Sequence, residues 1–218
     1  MTAQYLLDVN VLVALAYDDH SLHSRAKHWA IQVQSTDLAA RPFLTCSIVE
    51  LGFVRTASRI SGLAPDIAAA CVDLSRLRVS LELVVLEDSL HGNQLPDWVK
   101  RSDQTTDGHL LRLANHHRVR FATLDARIPG AEFIPYEKEL PSEVREPAYA
   151  RYNDMTTESR PDNSERYIAS PWADVPSWIF DDPRWIRDPE TGMPCVRGTP
   201  GARKITSEDV RECLKDFP

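Results

Sequence analysis

Four carboxylates in the first 125 residues stand where a chain could do chemistry: Asp8, Glu50, Asp107 and Asp125. Asp8 is the oddest of them. It interrupts YLLDVNVLVALAY with apolar residues on both flanks, and a buried carboxylate is costly unless it is paired, hydrogen-bonded or bound to a cation. Asp8 ends one short apolar run, and Glu50 lies one turn into the helix expected after a second. Asp107 starts a late helix, and Asp125 closes the run FATLD. In a parallel α/β sheet, strand C-termini and the helix starts that follow them converge on one edge, where ligands bind. Four acids at such places predict one acidic pocket. Like charges that close repel unless a cation intervenes. Oxygen-only donors, with no Cys or His at ligand spacing, suit hard Mg²⁺ or Mn²⁺ rather than zinc. Taken singly, Asp107 or Asp125 reads as a helix cap and Glu50 as a surface acid. Their joint placement is what favours a shared site.

The elements that must position these acids follow from the apolar pattern. YLLDV is a short buried strand and NVLVALAY a helix packed inside. SLHSRAKHWAIQVQ places Leu22, Ala26, Trp29, Ala30 and Val33 at helical spacing, with Ser21 as its cap. PFLTC is a second strand, and SIVELGFVRTASRI a helix capped by Ser47. IAAACVDLSRLRV follows with Pro65 in its first turn. LELVVL is a third strand, TTDGHLLRLANHHR a helix despite its glycine, VRFATLD a fourth strand and EFIPY a short fifth. Strands alternating with helices predict an α/β fold, a mostly parallel sheet flanked by helices. Beyond residue 140 the pattern fails. SEVREPAYARYNDMTTESRPDNSERY is polar and punctuated by proline, which predicts a linker or wrapping arm. SPWADVPSWIFDDPRWIRDPETG is too proline-broken for a regular element. TSEDVRECLKDFP, with its Thr-x-x-Asp start, is a helix. The expectation is an irregular C-terminal arm ending in a short helix.

Bulk composition narrows the classes. A net charge of -7 argues against a chain that coats nucleic acid by charge alone, though not against a basic rim around an acidic centre. No apolar run approaches the length needed to span a bilayer, and the first residues lack the pattern of a secretory signal. Four scattered cysteines, Cys46, Cys71, Cys195 and Cys213, read as reduced thiols. The expectation is a cytoplasmic protein without a membrane partner. All seven histidines precede residue 120, whereas ten of the fifteen prolines and three of the five tryptophans follow residue 137. That shift places a boundary in YEKELPSEVREP and divides the chain into 1–137, a linker or arm over 138–170, and 171–218.

Five stretches in order, LLDVNVLVAL, HSRAKHW, TCSIVELGFVR, TTDGHLLRLANHH and FATLD, resemble successive motifs of the PIN-domain ribonucleases, and most closely the VapC toxins of bacterial toxin–antitoxin modules. The resemblance covers about residues 3 to 137. It implies that Asp8, Glu50, Asp107 and Asp125 form a catalytic and metal-binding quartet, with Asp8 and Asp107 as direct ligands. Glu50 and Asp125 would bind directly, through water, or orient the attacking water. Asn10, Thr106 and Thr123 fit the polar positions beside these acids. The implied reaction is Mg²⁺- or Mn²⁺-dependent hydrolysis of RNA phosphodiesters. The implied partners are an RNA substrate, an antitoxin in trans or in cis, a second copy in a homodimer, and operator DNA reached through an antitoxin. Lys100 and Arg101, just ahead of Asp107, are placed to grip substrate phosphate. His23, His28 and Trp29 match a helix pattern of the family and are expected to pack. His116, His117, Arg118 and Arg120 suit either an RNA backbone or a helix C-terminus. A phosphatase built on a nucleophilic aspartate fits less well, because V-N follows Asp8 where a D-x-D-x-T motif needs a second aspartate and a threonine.

About eighty residues extend past the resemblance. Within them Gly192, Pro194, Arg197, Gly198, Thr199 and Phe217–Pro218 resemble the G-x-P-x-x-R-G-T turn and terminal Phe-Pro of small VapB-like antitoxin domains, although about a dozen residues expected between the turn and the last helix are missing. Such arms wrap a toxin and offer it a basic side chain. PSWIFDDPRWIRDP would supply Trp178, Ile179 and Trp185 as anchors, and Arg184 or Arg187 to pair with the carboxylates. The alternatives are a tail that simply packs on the domain, an engineered fusion, a PIN nuclease of RNA processing whose tail binds a partner, and a non-catalytic module with its acidic pocket permanently plugged.

Overall fold

Tyr5–Leu7 form β1, and the alternation expected of the first 135 residues continues from there. In the computed structural model, which describes residues 3–36, 41–135 and 172–215, α1 (Val9–Ala16), α2 (His23–Thr36), β2 (Phe43–Thr45), α3 (Ser47–Arg59) and α4 (Ile67–Ser80) follow. Then come β3 (Val84–Val85), α5 (Thr105–His116), β4 (Arg120–Thr123) and β5 (Glu132–Phe133). The five strands lie in the order β3-β2-β1-β4-β5 and every pairing is parallel. Leu6 stands opposite Leu44 on one side and Phe121 on the other. β1 is therefore central, and the chain leaves it toward β2 before returning to its other side at β4. This reversal opens the crevice of a parallel sheet at the C-terminal ends of β1 and β4. Asp8 immediately follows β1, and Asp125 lies two residues beyond β4.

Several boundaries move. Ser21 lies ahead of α2, which begins at His23. Cys46, not Ser47, holds the N-cap of α3, and Asp66 caps α4 by accepting from the Ala69 amide at 2.8 Å, so Pro65 sits outside the helix. The third strand shrinks to Val84–Val85 because only that pair meets β2.

The C-terminal segment is more regular than its prolines suggest. Ser177–Asp181 form a 3-10 turn, β6 (Trp185–Arg187) and β7 (Pro194–Val196) pair antiparallel, and α6 (Ser207–Leu214) follows, with Lys215 as its C-cap. The terminal helix is the one expected, with Thr206 and Asp209 in a reciprocal capping box. The strand pair was not expected. A period-2 signal cannot develop in three-residue strands, and their partner is only visible once the chain turns back at Gly192, where φ is +74°. Trp172, Ile179, Trp185, Met193, Val196, Ile205 and Val210 are buried in the same contiguous core as Leu12, Leu15, Tyr17 and Phe53 of the sheet domain. Residues 172–215 thus pack onto the sheet domain. The expected linker over 138–170 and the Phe217–Pro218 match lie outside the described residues.

Candidate active site

Thr123, the last residue of β4 and fully buried, ties two acids together. Its hydroxyl donates to Asp8 Oδ2 at 2.7 Å and accepts from the Asp125 amide at 3.0 Å. Asp8 has the N-cap position of α1 but makes no side-chain cap bond. Its own amide donates to Ala122 O at 3.0 Å, so β4 holds both its backbone and its carboxylate. Asp107 lies in the first turn of α5. The loop ahead of that helix closes directly over Gly108, where an added Cβ would stand 2.4 Å from Val99 Cγ2. Asp8, Asp107 and Asp125 together line a cavity of about 300 Å³, with Thr106, Trp98, Arg101 and Arg127 at its sides.

The three acids do not share one electrostatic fate. Burial pushes Asp8 up to about 6, with the Thr123 hydrogen bond working against it and the Asp125 charge adding to it. Asp107 is pushed up to about 8 by burial and by the charges of Asp8 and Asp125. At Asp125 burial also works upward, but the Arg127 guanidinium outweighs it and holds the carboxyl below the usual range. Arg127 engages Asp125 bidentately, Nε to Oδ1 at 2.9 Å and a terminal nitrogen to Oδ2 at 2.7 Å. Asp8 and Asp107 are thus two buried carboxylates whose charged forms are disfavoured by burial and by repulsion among the acids. A divalent cation held between their oxygens would offset both, and the donor set fits a hard ion. Asn10, buried two residues beyond Asp8, leaves its Oδ1 without a hydrogen-bond partner among the described residues.

Other expected residues are placed differently. Glu50 is in the first turn of α3 but does not line the cavity, and its Oε1 lies 3.5 Å from Arg78 Nε. Arg101 lines the cavity and pairs with Asp103, while Lys100 is exposed and does not line it. Trp29 packs between Tyr5 and Phe43, as expected of a packing residue. His117 Nε2 lies 3.0 Å from Glu87 O and Arg120 pairs with Glu132, neither at the cavity. His23, Asp188 and Cys195 also come together with metal-ligating atoms, yet the Lys27 ammonium 3.0 Å from Asp188 Oδ2 already fills the cationic place there.

The basic side chain that the tail offers the acids is not one of those expected. The Arg184 fork is taken by Asp73 and Asp182. Arg187 donates to Trp172 O at 2.9 Å and stacks over Phe180. Of the expected anchors, Ile179 and Trp185 are buried, whereas Trp178 is 45% exposed. The cavity is instead approached by α6. Glu208, Arg211, Leu214 and Lys215 line it, and Arg211 Nε lies 3.8 Å from Asp125 Oδ2. The helix itself was legible, but its facing partner was not, because no pattern within α6 records what lies across from it.

No family model matches the chain. It is 38% identical over 129 residues to Ribonuclease VapC38 of Mycobacterium tuberculosis, a match covering 56% of this chain and 86% of that protein. Ribonuclease VapC39 of the same organism is 35% identical over 136 residues, covering 59% of this chain and 91% of the relative. Ribonuclease VapC44 is 33% identical over 139 residues, covering 58% and 92%.

Proposed function

The chain belongs to the VapC ribonuclease family, and on that premise we propose that it is a divalent-metal-dependent endoribonuclease of a toxin–antitoxin system, held in check by its own C-terminal segment. The observation that carries this reading is the convergence of Asp8, Asp107 and Asp125 on one cavity, with α6 lining the same cavity. Asp8, Asp107 and Asp125 would hold the ion, most readily Mg²⁺ or Mn²⁺. When bound, the ion supplies an activated water and neutralises charge gathering at phosphorus. Thr123 keeps Asp8 aimed at the cavity. Arg101 and Arg127 provide a basic rim for the RNA backbone, with Lys100 next to it. Glu50 does not line the cavity and pairs with Arg78 at 3.5 Å, so it is given no part in holding the ion or the attacking water. Arg211 stands where it competes with both the ion and the substrate, and residues 171–218 serve as a VapB-like antitoxin in cis. A tethered inhibitor acts at high effective concentration, so a weak contact suffices.

The test is cleavage of labelled RNA in Mg²⁺ by the full chain, Asp8→Asn and Arg211→Ala, with an EDTA control. Arg211→Ala is expected to cut faster than the parent by about threefold, the effect of losing one part-exposed ion pair at 3.8 Å. Asp8→Asn is expected not to cut. Cleavage by Asp8→Asn at the parental rate sinks the site assignment, and an unchanged Arg211→Ala rate sinks Arg211 as the side chain that competes with ion and substrate. A second reading, a regulatory module whose cavity is permanently plugged, is favoured by the four α6-segment residues that line it. It requires that Arg211→Ala bind Mg²⁺ and cut nothing.

A further inference from the structure

Asp73 on α4 has no solvent exposure, and a carboxylate buried beside Ala70, Leu74 and Leu77 on the inward face of that helix needs an account. Its oxygens are fully engaged. Tyr17 of the sheet domain donates to Oδ2 at 3.0 Å, and the other three donors come from the tail. Arg184 donates to Oδ2 at 3.1 Å and to Oδ1 at 2.9 Å, and Trp185 Nε1 donates to Oδ1 at 2.9 Å. Two further clamps flank this one. Lys27, buried on α2, donates to Asp188 at 3.0 Å and to Glu190 at 2.9 Å. Beyond α1, Asp18 accepts from the Gly198 amide, and Asp19 accepts from the Thr199 amide at 2.7 Å. The turn presses so close that a Cβ at residue 198 would stand 2.0 Å from Asp19 Oδ1. Gly198 of the R-G-T turn is thereby explained by close approach to an acid pair.

We propose that the face formed by Tyr17, Asp18, Asp19, Lys27 and Asp73 is a recognition surface for residues 184–199, distinct from the acidic cavity, and that this face rather than the Arg211 contact holds the tail on the sheet domain. Charge alternates across the seam. An acid on the domain meets Arg184, a lysine on the domain meets Asp188, and acids on the domain meet backbone amides. The occupant is fixed by that chemistry: an Arg-Trp pair, a carboxylate four residues after the Arg, and a glycine turn. The two contacts also differ in kind. Asp73 and Lys27 are buried with multiple short hydrogen bonds, and breaking one side of such a pair strands a charge. Arg211 is about one-third exposed, its Nε makes no hydrogen bond among the described residues, and 3.8 Å to Asp125 is a loose ion pair of the kind that holds little. The cis-inhibition reading underlies only the expected consequence for activity. The surface stands or falls separately.

The experiment is hydrogen exchange on the full chain, comparing the parent with Asp73→Asn, Arg184→Ala, Trp185→Phe and Arg211→Ala, alongside RNA cleavage in Mg²⁺. Exchange of amides in β6, β7 and the 197–199 turn is expected to rise by about tenfold or more in Asp73→Asn and Arg184→Ala, since each breaks a buried ion pair. A smaller rise is expected in Trp185→Phe, which loses one hydrogen bond and keeps the ring. β1 and β4 amides should stay protected in all four, which separates release of the tail from unfolding. Arg211→Ala should leave β6 and β7 as protected as in the parent. If Asp73→Asn and Arg184→Ala leave the strand pair protected, or if Arg211→Ala deprotects it equally, the proposed surface is wrong. If β1 and β4 lose protection in Asp73→Asn, Trp185→Phe and Arg184→Ala decide, because both leave the domain's own residues intact. Strand-pair release with no gain in cleavage by any variant upholds the surface and overturns cis inhibition instead.

Discussion

At the scale of the residue, the acidic cavity is a competition between burial and charge, and pH exposes it. Asp8 and Asp107 both titrate above an ordinary aspartate, to about 6 and about 8. The folded state therefore binds more protons than the unfolded chain between about pH 4 and 8. Stability contributed by these groups is complete below the unfolded value and is lost as pH rises through the folded values. These two groups are expected to lower the stability of the metal-free protein at pH 8 relative to pH 5 by about 1–3 kcal/mol. Buried His20, which burial pushes down to about 4, contributes the opposite slope, so the comparison of parent with Asp107→Asn isolates the share of the acids. Asp107→Asn should flatten that slope, and Mg²⁺ should raise the melting temperature more at pH 8 than at pH 5. A thermal melt series with and without Mg²⁺ checks both, and an equal Mg²⁺ effect at the two pH values would remove the acids as ion ligands. Thr123→Val should leave the fold intact while freeing the Asp8 carboxylate, lowering Mg²⁺ affinity by about tenfold, the usual consequence of losing a side chain that orients a ligand. Calorimetric titration reads that directly. The hydroxyl is legible in FATLD as a polar residue, but its bridging of two acids is not, because the acids come from positions 115 residues and two residues away.

Elements carry the next constraint. α5 must bring Asp107 to the crevice while a loop crosses its surface at Gly108. Gly108→Ala would gain helix propensity, about 1 kcal/mol. It would also drive a Cβ to 2.4 Å from Val99 Cγ2 and 3.2 Å from Pro96 Cδ. The clash is expected to win, for a net destabilisation of about 1–2 kcal/mol in urea unfolding. A stabilised Gly108→Ala would mean that the 96–99 loop gives way freely. Most elements of the sheet domain were legible, since continuous apolar runs bounded by turns and helical stripes at Leu22, Ala26 and Trp29 report local structure. The errors have local causes too. Cys46 takes the cap position that preference assigned to Ser47, Asp66 caps a helix whose first turn was expected to hold Pro65, and β3 is short because only two residues find a partner. The β6–β7 pair was missed because two three-residue strands carry no period, and their stability comes from Trp185 and Val196 being buried against α1 and α4.

The whole molecule is a sheet domain with its C-terminal segment packed into the same core, and its seam is polar where its interior is not. Lys27 is 2% exposed, with Asp188 and Glu190 as partners from the other side of the seam. Lys27→Met is expected to destabilise the full chain by about 3–5 kcal/mol, because Asp188 would be left as a buried charge without its principal partner. Denaturant unfolding measures this, and a loss below about 1 kcal/mol would show that solvent reaches the seam and screens it. Sequence alone determined the α/β class, the parallel alternation, the family of the chain and the identity of the acids at strand ends. Each of these is written in local pattern or in residue type at a fixed spacing along the chain. The sequence could not determine that Asp8, Asp107 and Asp125 meet while Glu50 turns to Arg78, nor that Arg211 rather than Arg184 or Arg187 faces the acids. Those outcomes depend on which surfaces pack together. An arginine's partner is set by distances between elements far apart in the chain, and only the tertiary structure fixes them.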